Sequence, residues 1–145
     1  MSLVVTGTVA FDAIETPFGK TDKIVGGAAT YACLAASYFY KNVKMVGVVG
    51  DDFPKEDIQS FEDHGISTEG LQVKAGEKSF FWSGKYHNDM NSRDTLATDL
   101  NVLADFDPIL PESYQDCEFL LLGNLSPQVQ QTTIKRLKNR PKLIV

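Results

Sequence analysis

Short unbroken apolar runs, each stopped by glycine and then a polar residue, recur along this chain and limit what it can fold into. The stretch Ser2 to Val9 centres on Leu3-Val4-Val5-Thr6-Gly7, Val43 to Val49 runs into Gly50-Asp51-Asp52, and Glu118 to Leu122 runs into Gly123-Asn124. A strand with one wet face alternates polar with apolar; a run apolar on both sides needs cover on both faces, as in a parallel sheet. Helical stretches separate these runs. Ala28 to Tyr40 contains no breaker and is rich in alanine, with Tyr31, Leu34, Tyr38 and Phe39 spreading apolar bulk over more than one face. It reads as a helix sandwiched between other elements. A second helix follows Asp52, which is placed to cap it, with Pro54 in the first turn and an end near His64-Gly65. A third runs from Ser126-Pro127 to about Asn139, with serine as cap and proline at the first position. Strands alternating with helices predict an α/β fold with a parallel sheet covered on both faces.

Two segments do not fit that core. Residues 10–25 contain Pro17 and Gly19 and read as a hairpin or excursion. From Gly70 to His87 the residues Leu71, Val73, Phe80, Trp82 and Tyr86 are interleaved with polar ones, the pattern of a half-exposed strand or hairpin. At the end, Pro141 to Val145 looks like the opening of another buried strand, so the expectation is the N-terminal half of a longer protein.

Composition narrows the class. The chain has 145 residues, 43% hydrophobic and 23% charged, which suits one soluble domain and argues against disorder. A formal net charge of −5, with no basic stripe, argues against nucleic acid as a partner. The cations Lys135, Arg136, Lys138 and Arg140 suit the last turns of a helix. No apolar run approaches the roughly 20 residues of a membrane span, and Met1-Ser2-Leu3-Val4-Val5 lacks the pattern of a secretory leader. Cys33 and Cys117, far apart and flanked by apolar residues, read as buried free thiols, so the expected location is the cytoplasm.

In open α/β sheets, ligands bind beyond the carboxyl ends of the strands. The residues found there are Asp12, Gly26-Gly27, Asp51-Asp52 and Asn124. Gly26-Gly27 opens the alanine-rich helix, where a backbone without Cβ atoms lets a ligand approach and exposed amides face anions or hydroxyl oxygens. On spacing alone, an ordinary tight turn is the favoured reading of the pair. Asp12 has a carboxylate able to accept two hydroxyl hydrogen bonds, or it is a solvated loop residue. His64 is a helix-end residue and His87 a polar strand residue; neither has partners at metal or catalytic spacing. Trp82 reads as packing or as a stacking surface. No nucleophile with an adjacent base and no metal cluster stands out.

Taken in order, Gly7-Thr8-Val9-Ala10-Phe11-Asp12, Gly26-Gly27-Ala28-Ala29-Thr30-Tyr31-Ala32 and Val46-Gly47-Val48-Val49-Gly50-Asp51-Asp52-Phe53 resemble the N-terminal signature of the ribokinase-like (PfkB-type) carbohydrate kinases. Gly123-Asn124-Leu125-Ser126-Pro127 fits a strand-to-helix junction of that family. The resemblance implies a Rossmann-like three-layer α/β/α core with a small β lid drawn from about 10–25 and 72–98. It also implies transfer of the ATP γ-phosphate, assisted by Mg²⁺, to a sugar or polyol hydroxyl, with a homodimer through lid strands as a possible assembly. The substrate-binding residues it implies are Asp12, Gly26, Gly27, Tyr31, Arg93 and Asn124. The family commonly has asparagine where this chain has Tyr31, which points away from ribose itself. A nucleoside or vitamin-alcohol kinase is the alternative, since Tyr31 and Trp82 are able to stack on a ring, and a non-catalytic sugar-binding module is another. The Gly-Ala-Gly-Asp motif that carries the family's base aspartate and phosphate amides is absent from these residues. The ATP and Mg²⁺ sites are therefore expected in the missing half, leaving no catalytic residue in this chain and no turnover by it alone.

Overall fold

The computed structural model describes residues 2–145. Its core sheet is parallel throughout, in the order β10-β9-β1-β5-β6, with β1 at Leu3–Thr6, β5 at Val43–Gly50, β6 at Ile66–Lys74, β9 at Phe119–Leu122 and β10 at Leu143–Ile144. The apolar runs are strands because both faces are covered. Along β5, Val43, Met45 and Val49 join one buried cluster, whereas Val46 and Val48 join the other. Helices α1 (Ala28–Ser37) and α2 (Lys55–Asp63) supply Ala29, Cys33 and Phe61 to the first cluster. The second takes Val129 from α3 (Pro127–Lys135), with Val102 and Tyr114 from two short 3₁₀ turns at 101–103 and 112–114. The result is the three-layer α/β/α sandwich that the alternation of elements predicts.

A second sheet stands apart from the core. It has the order β3-β2-β7-β8, where β2 is Ala10–Thr16, β3 Gly19–Lys20, β7 Phe80–Tyr86 and β8 Arg93–Asp99; β4 (Ile24–Gly26) also pairs with β2. Strands β2 and β7 run parallel although both leave the core sheet, and β8 returns antiparallel to β7. Residues 10–26 and 80–99 thus build this sheet, while 72–74 belong to β6, an edge strand of the core sheet. That edge position explains the alternation from Gly70 onward: β6 is half covered, and its period-2 pattern does not mark a departure from the core.

Two local expectations are corrected. Helix α1 is not sandwiched: Ala29, Thr30 and Cys33 form its buried face, and Tyr31 is 58% and Phe39 92% exposed. Its small residues meet the sheet, while the helix ends at Ser37, so Tyr38 and Phe39 lie beyond its last turn. Asp52 does not cap α2. Pro54 takes the N-cap position without a side-chain bond, and the Asp52 carboxylate is drawn to Ser79 instead. Ser126 does cap α3, its Oγ accepting from the Val129 amide at 3.4 Å. His64 ends α2, with its Nδ1 2.7 Å from the Ser60 carbonyl. Both cysteines are free and buried, and burial pushes the Cys33 thiol up to about 12. No helix among the described residues is long and apolar enough to cross a membrane.

Candidate functional site

The site lies where the winding of the core sheet reverses. From β1 the chain proceeds outward through β5 to β6, then returns to β9 on the other side of β1. The connections after β1 and β9 therefore part company, leaving a crevice at their carboxyl ends. Thr8 and Asn124 close its floor: the Thr8 hydroxyl donates to Asn124 Oδ1 at 3.0 Å and accepts from the Ala28 amide at 2.9 Å. The Thr8 carbonyl accepts from the Ala29 amide at 2.9 Å. The first two amides of α1 are therefore used by Thr8 and do not form the open anion cradle expected of a glycine pair before a helix. With Asn124 Oδ1 engaged by Thr8, the group this side chain has left to offer is its NH₂ donor.

Above this floor opens a cavity of about 410 Å³ lined by Thr8, Ala10, Asp12, Gly27, Ala28, Tyr31, Phe80, Trp82, Tyr86, Arg93 and Asn124. Five of the expected residues, Asp12, Gly27, Tyr31, Arg93 and Asn124, thus share one cavity. Gly26 stands behind Asp12 and does not line it. It pairs with Ala10 across β4 and β2, and a Cβ built on it would lie 2.0 Å from Asp12 Oδ2. Gly27 has φ +101°, and a Cβ there would meet the Thr8 carbonyl oxygen at 2.3 Å. The two glycines thus have different reasons to be glycine. One makes room for a carboxylate, and the other turns the backbone tightly against Thr8.

Asp12 faces the cavity without a hydrogen bond from any described residue, and burial raises its carboxyl above the usual carboxylate range. It stands opposite Trp82 in the β2–β7 pairing, so the second sheet itself brings a carboxylate and an indole to one wall. Gly84, two residues on, leaves room for the indole to lie along the strand, since a Cβ there would be 2.1 Å from the ring. The Arg93 guanidinium lies 5.8 Å from the Trp82 ring centre and 5.9 Å from that of Tyr86, and it makes no ion pair among the described residues. Tyr31 donates its hydroxyl to the Val25 carbonyl at 3.1 Å, so what it offers the cavity is its ring. Phe80, Trp82 and Tyr86 extend that aromatic lining, which the alternating segment of the sequence contained without revealing its direction.

Thr8, Phe80 and Asn124 also border a second, more apolar cavity of about 360 Å³, whose other walls include Leu103, Phe106, Leu125 and Val129. Among the described residues no group of three or more His, Cys, Asp or Glu side chains is arranged to hold a metal ion. His87 instead pairs with Asp94 at 3.0 Å near the β7–β8 turn.

No family model matches the chain. In sequence it is 30% identical over 141 residues to a cytidine kinase of Thermococcus kodakarensis, an alignment covering 97% of this chain and 49% of that protein. The chain thus spans about half the length of the curated relative it matches. Its fold is similar to the Methanocaldococcus jannaschii nucleoside kinase, an archaeal member of the ribokinase family, with TM-score 0.74, 16% identity, and coverage of 99% of this chain and 51% of that one. It is also similar to the Burkholderia thailandensis nucleoside kinase in complex with inosine, with TM-score 0.72, 15% identity and coverage of 93% and 48%. A ribokinase from Cryptococcus neoformans in complex with ADP gives TM-score 0.70, 19% identity and coverage of 90% and 44%. The chain has the ribokinase-like kinase fold, of which it makes up about half.

Proposed function

We propose that this chain forms the acceptor-binding part of an ATP-dependent ribokinase-type kinase, and that the acceptor is a nucleoside. One observation carries the reading: a single cavity sets the unpartnered Asp12 carboxylate among the rings of Tyr31, Phe80, Trp82 and Tyr86. A carboxylate accepts hydroxyl hydrogen bonds, and ring faces stack on a base. A bare sugar or polyol, the first reading of the sequence, would satisfy the carboxylate and leave most of the aromatic wall uncovered. The volume of about 410 Å³ falls in the range of small-molecule sites. The sequence likeness to a cytidine kinase points the same way.

The residues present serve binding and orientation. Asp12 would take two hydroxyls of the ribose, the Asn124 amide would donate to an oxygen, and Arg93 would place positive charge at the rim. The second sheet would act as the lid that keeps water from the transferring phosphoryl group. The described side chains do not fit a magnesium–nucleotide group: Asp12 is the only carboxylate lining the cavity, and no cluster of three or more candidate metal ligands exists among them. No step of phosphoryl transfer is assigned to these residues.

Trp82 is the chain's one tryptophan and lines the cavity, so its emission reports occupancy directly. Titration of the 145-residue chain with cytidine, inosine and ribose should give a saturable change in Trp82 emission with the nucleosides and a much weaker one with ribose, and no phosphorylated product when ATP and Mg²⁺ are added. Ribose binding as tightly as either nucleoside would overturn the nucleoside reading. Turnover by this chain would overturn the division of roles.

A further inference from the structure

We propose that Asp52 is a positioning residue whose carboxylate clamps both arms of the second sheet and so sets the cavity wall that carries Asp12 and the aromatic rings over its Thr8–Asn124 floor. One arm is the entry to β7. Asp52 Oδ1 accepts from the Ser79 amide at 2.8 Å and from its hydroxyl at 2.7 Å, and Ser79 immediately precedes Phe80. The other arm is the entry to β4. Asp52 Oδ2 lies 3.2 Å from Lys23 Nζ, and Lys23 immediately precedes Ile24, the partner of Asp12 across β4 and β2. The cluster is built inward as well. The Ser79 hydroxyl accepts from the Gly50 amide at 3.0 Å, and its carbonyl accepts from the Asn101 side chain at 2.9 Å, just beyond β8. Ser79 is 2% exposed, so its side of the clamp is shielded from bulk water, whereas the Lys23 pair lies at the surface.

Apolar contacts reinforce the clamp. Phe53, next to Asp52, packs on Phe11 of β2 with ring centres 5.1 Å apart, and Lys23 Nζ lies 4.0 Å over the same Phe11 ring. Its position before α2 marks Asp52 in the sequence as a helix cap, yet the helix does without it. Partial burial acts upward on the Asp52 carboxyl, but hydrogen bonds from Ser79 and the Lys23 ammonium outweigh it and hold the group below the usual carboxylate range. Hydrogen bonds to a charged acceptor are the stronger kind, so one carboxylate is able to tie two strands that have no direct bond to each other.

The test compares the 145-residue chain with Asp52→Ala, Asp52→Asn and Ser79→Ala, by amide hydrogen exchange and by quenching of Trp82 fluorescence. Asp52→Ala and Ser79→Ala should speed exchange in β7 and β8 about tenfold or more and expose Trp82 to quencher, leaving β1 and β5 as far as Val49 within about twofold; the Gly50 amide, which bonds the Ser79 hydroxyl, is left out of that comparison in Ser79→Ala. Asp52→Asn should restore most of both signals, which report the β7 arm, because its amide oxygen still accepts from Ser79; the β4 arm stays released, since the amide NH₂ would face the Lys23 ammonium as a second donor. Exchange that rises equally in both sheets, or does not rise in either, would overturn the proposal, as would an asparagine variant no better than alanine. If Asp52→Ala does not fold, Ser79→Ala carries the same comparison. A ligand arm rests on the nucleoside reading: Asp52→Ala should weaken nucleoside binding about tenfold and asparagine should restore it. Absence of nucleoside binding by the unaltered chain would refute that reading while the exchange result still decides the clamp.

Discussion

Replacing Gly26 with alanine would test whether the paired glycines serve the ligand or the fold. The added Cβ would lie 2.0 Å from Asp12 Oδ2, 2.4 Å from Cγ and 3.0 Å from Oδ1, so the carboxylate must retreat by more than an ångström. It is the mobile end of a side chain with two rotatable bonds, and an off-rotamer shift costs roughly 0.5–1.5 kcal/mol. Gly26 has no positive φ, so alanine also regains about 0.4–1 kcal/mol by restricting the unfolded chain. The two effects nearly cancel, and Tm should move by no more than about 4 °C. Binding should behave differently. Two hydrogen bonds from ligand hydroxyls to a carboxylate are worth about 1.5–3 kcal/mol each, so their loss predicts an affinity at least about a hundredfold weaker. Gly27→Ala is the contrast. Its φ of +101° belongs to glycine, and its Cβ would strike backbone, the Thr8 carbonyl oxygen at 2.3 Å and carbon at 2.7 Å. Backbone cannot step aside, and this variant should lose about 3 kcal/mol or more. Thermal melts paired with Trp82 titrations separate the two cases. A Gly26→Ala chain that binds nucleoside within about threefold of the unaltered chain, or that melts alongside Gly27→Ala, would refute this separation of the two glycines.

Two further outcomes follow from single side chains. Burial raises the Asp12 carboxyl, so the folded chain holds that proton more tightly than the unfolded one, and its contribution to stability falls as pH rises through the raised value. Asp12→Asn should therefore be more stable than the unaltered chain at pH 7, with the Tm gap closing as pH falls to about 4, and should bind nucleoside far more weakly; a gap unchanged with pH would contradict the burial argument. Tyr114 is fully buried, its hydroxyl donating to Ser67 and accepting from the Gly70 amide at 3.3 Å, remote from the cavity lining. Tyr114→Phe should cost about 2 kcal/mol, or roughly 4–8 °C in Tm, with nucleoside affinity unchanged, and a shifted affinity would show that the two regions are coupled.

Much of the core was legible because its signals are local. Leu3–Thr6, Val43–Gly50 and Phe119–Leu122 are strands where the apolar runs place them, and Ser126-Pro127 starts a helix as its caps require. The site residues read at strand ends, Asp12, Gly27 and Asn124, do meet at one crevice. Other assignments were out of reach of local pattern. The alternation from Gly70 onward belongs partly to β6 at the edge of the core and partly to β7 in the other sheet, since an edge strand and a free-standing hairpin have the same periodicity. Thr8 looked like an ordinary strand-end residue, yet it joins β9 to α1 through Asn124 and Ala28, a partner 116 positions away and one 20 away.

Sequence alone thus determined where the central strands β1, β5 and β9 would form and where the chain would turn after them, because hydrophobic run length and glycine act over a few residues; it did not determine that α1 is covered on one face only or that Leu143 and Val145 lie exposed. Only the tertiary structure decided which strands pair across long separations. The parallel register of β2 with β7 sets Trp82 opposite Asp12, and the capture of Ser79 draws Asp52 away from the helix it precedes. Those choices depend on groups that are distant in the chain competing for the same hydrogen bonds and the same apolar cover, and no local pattern records that competition.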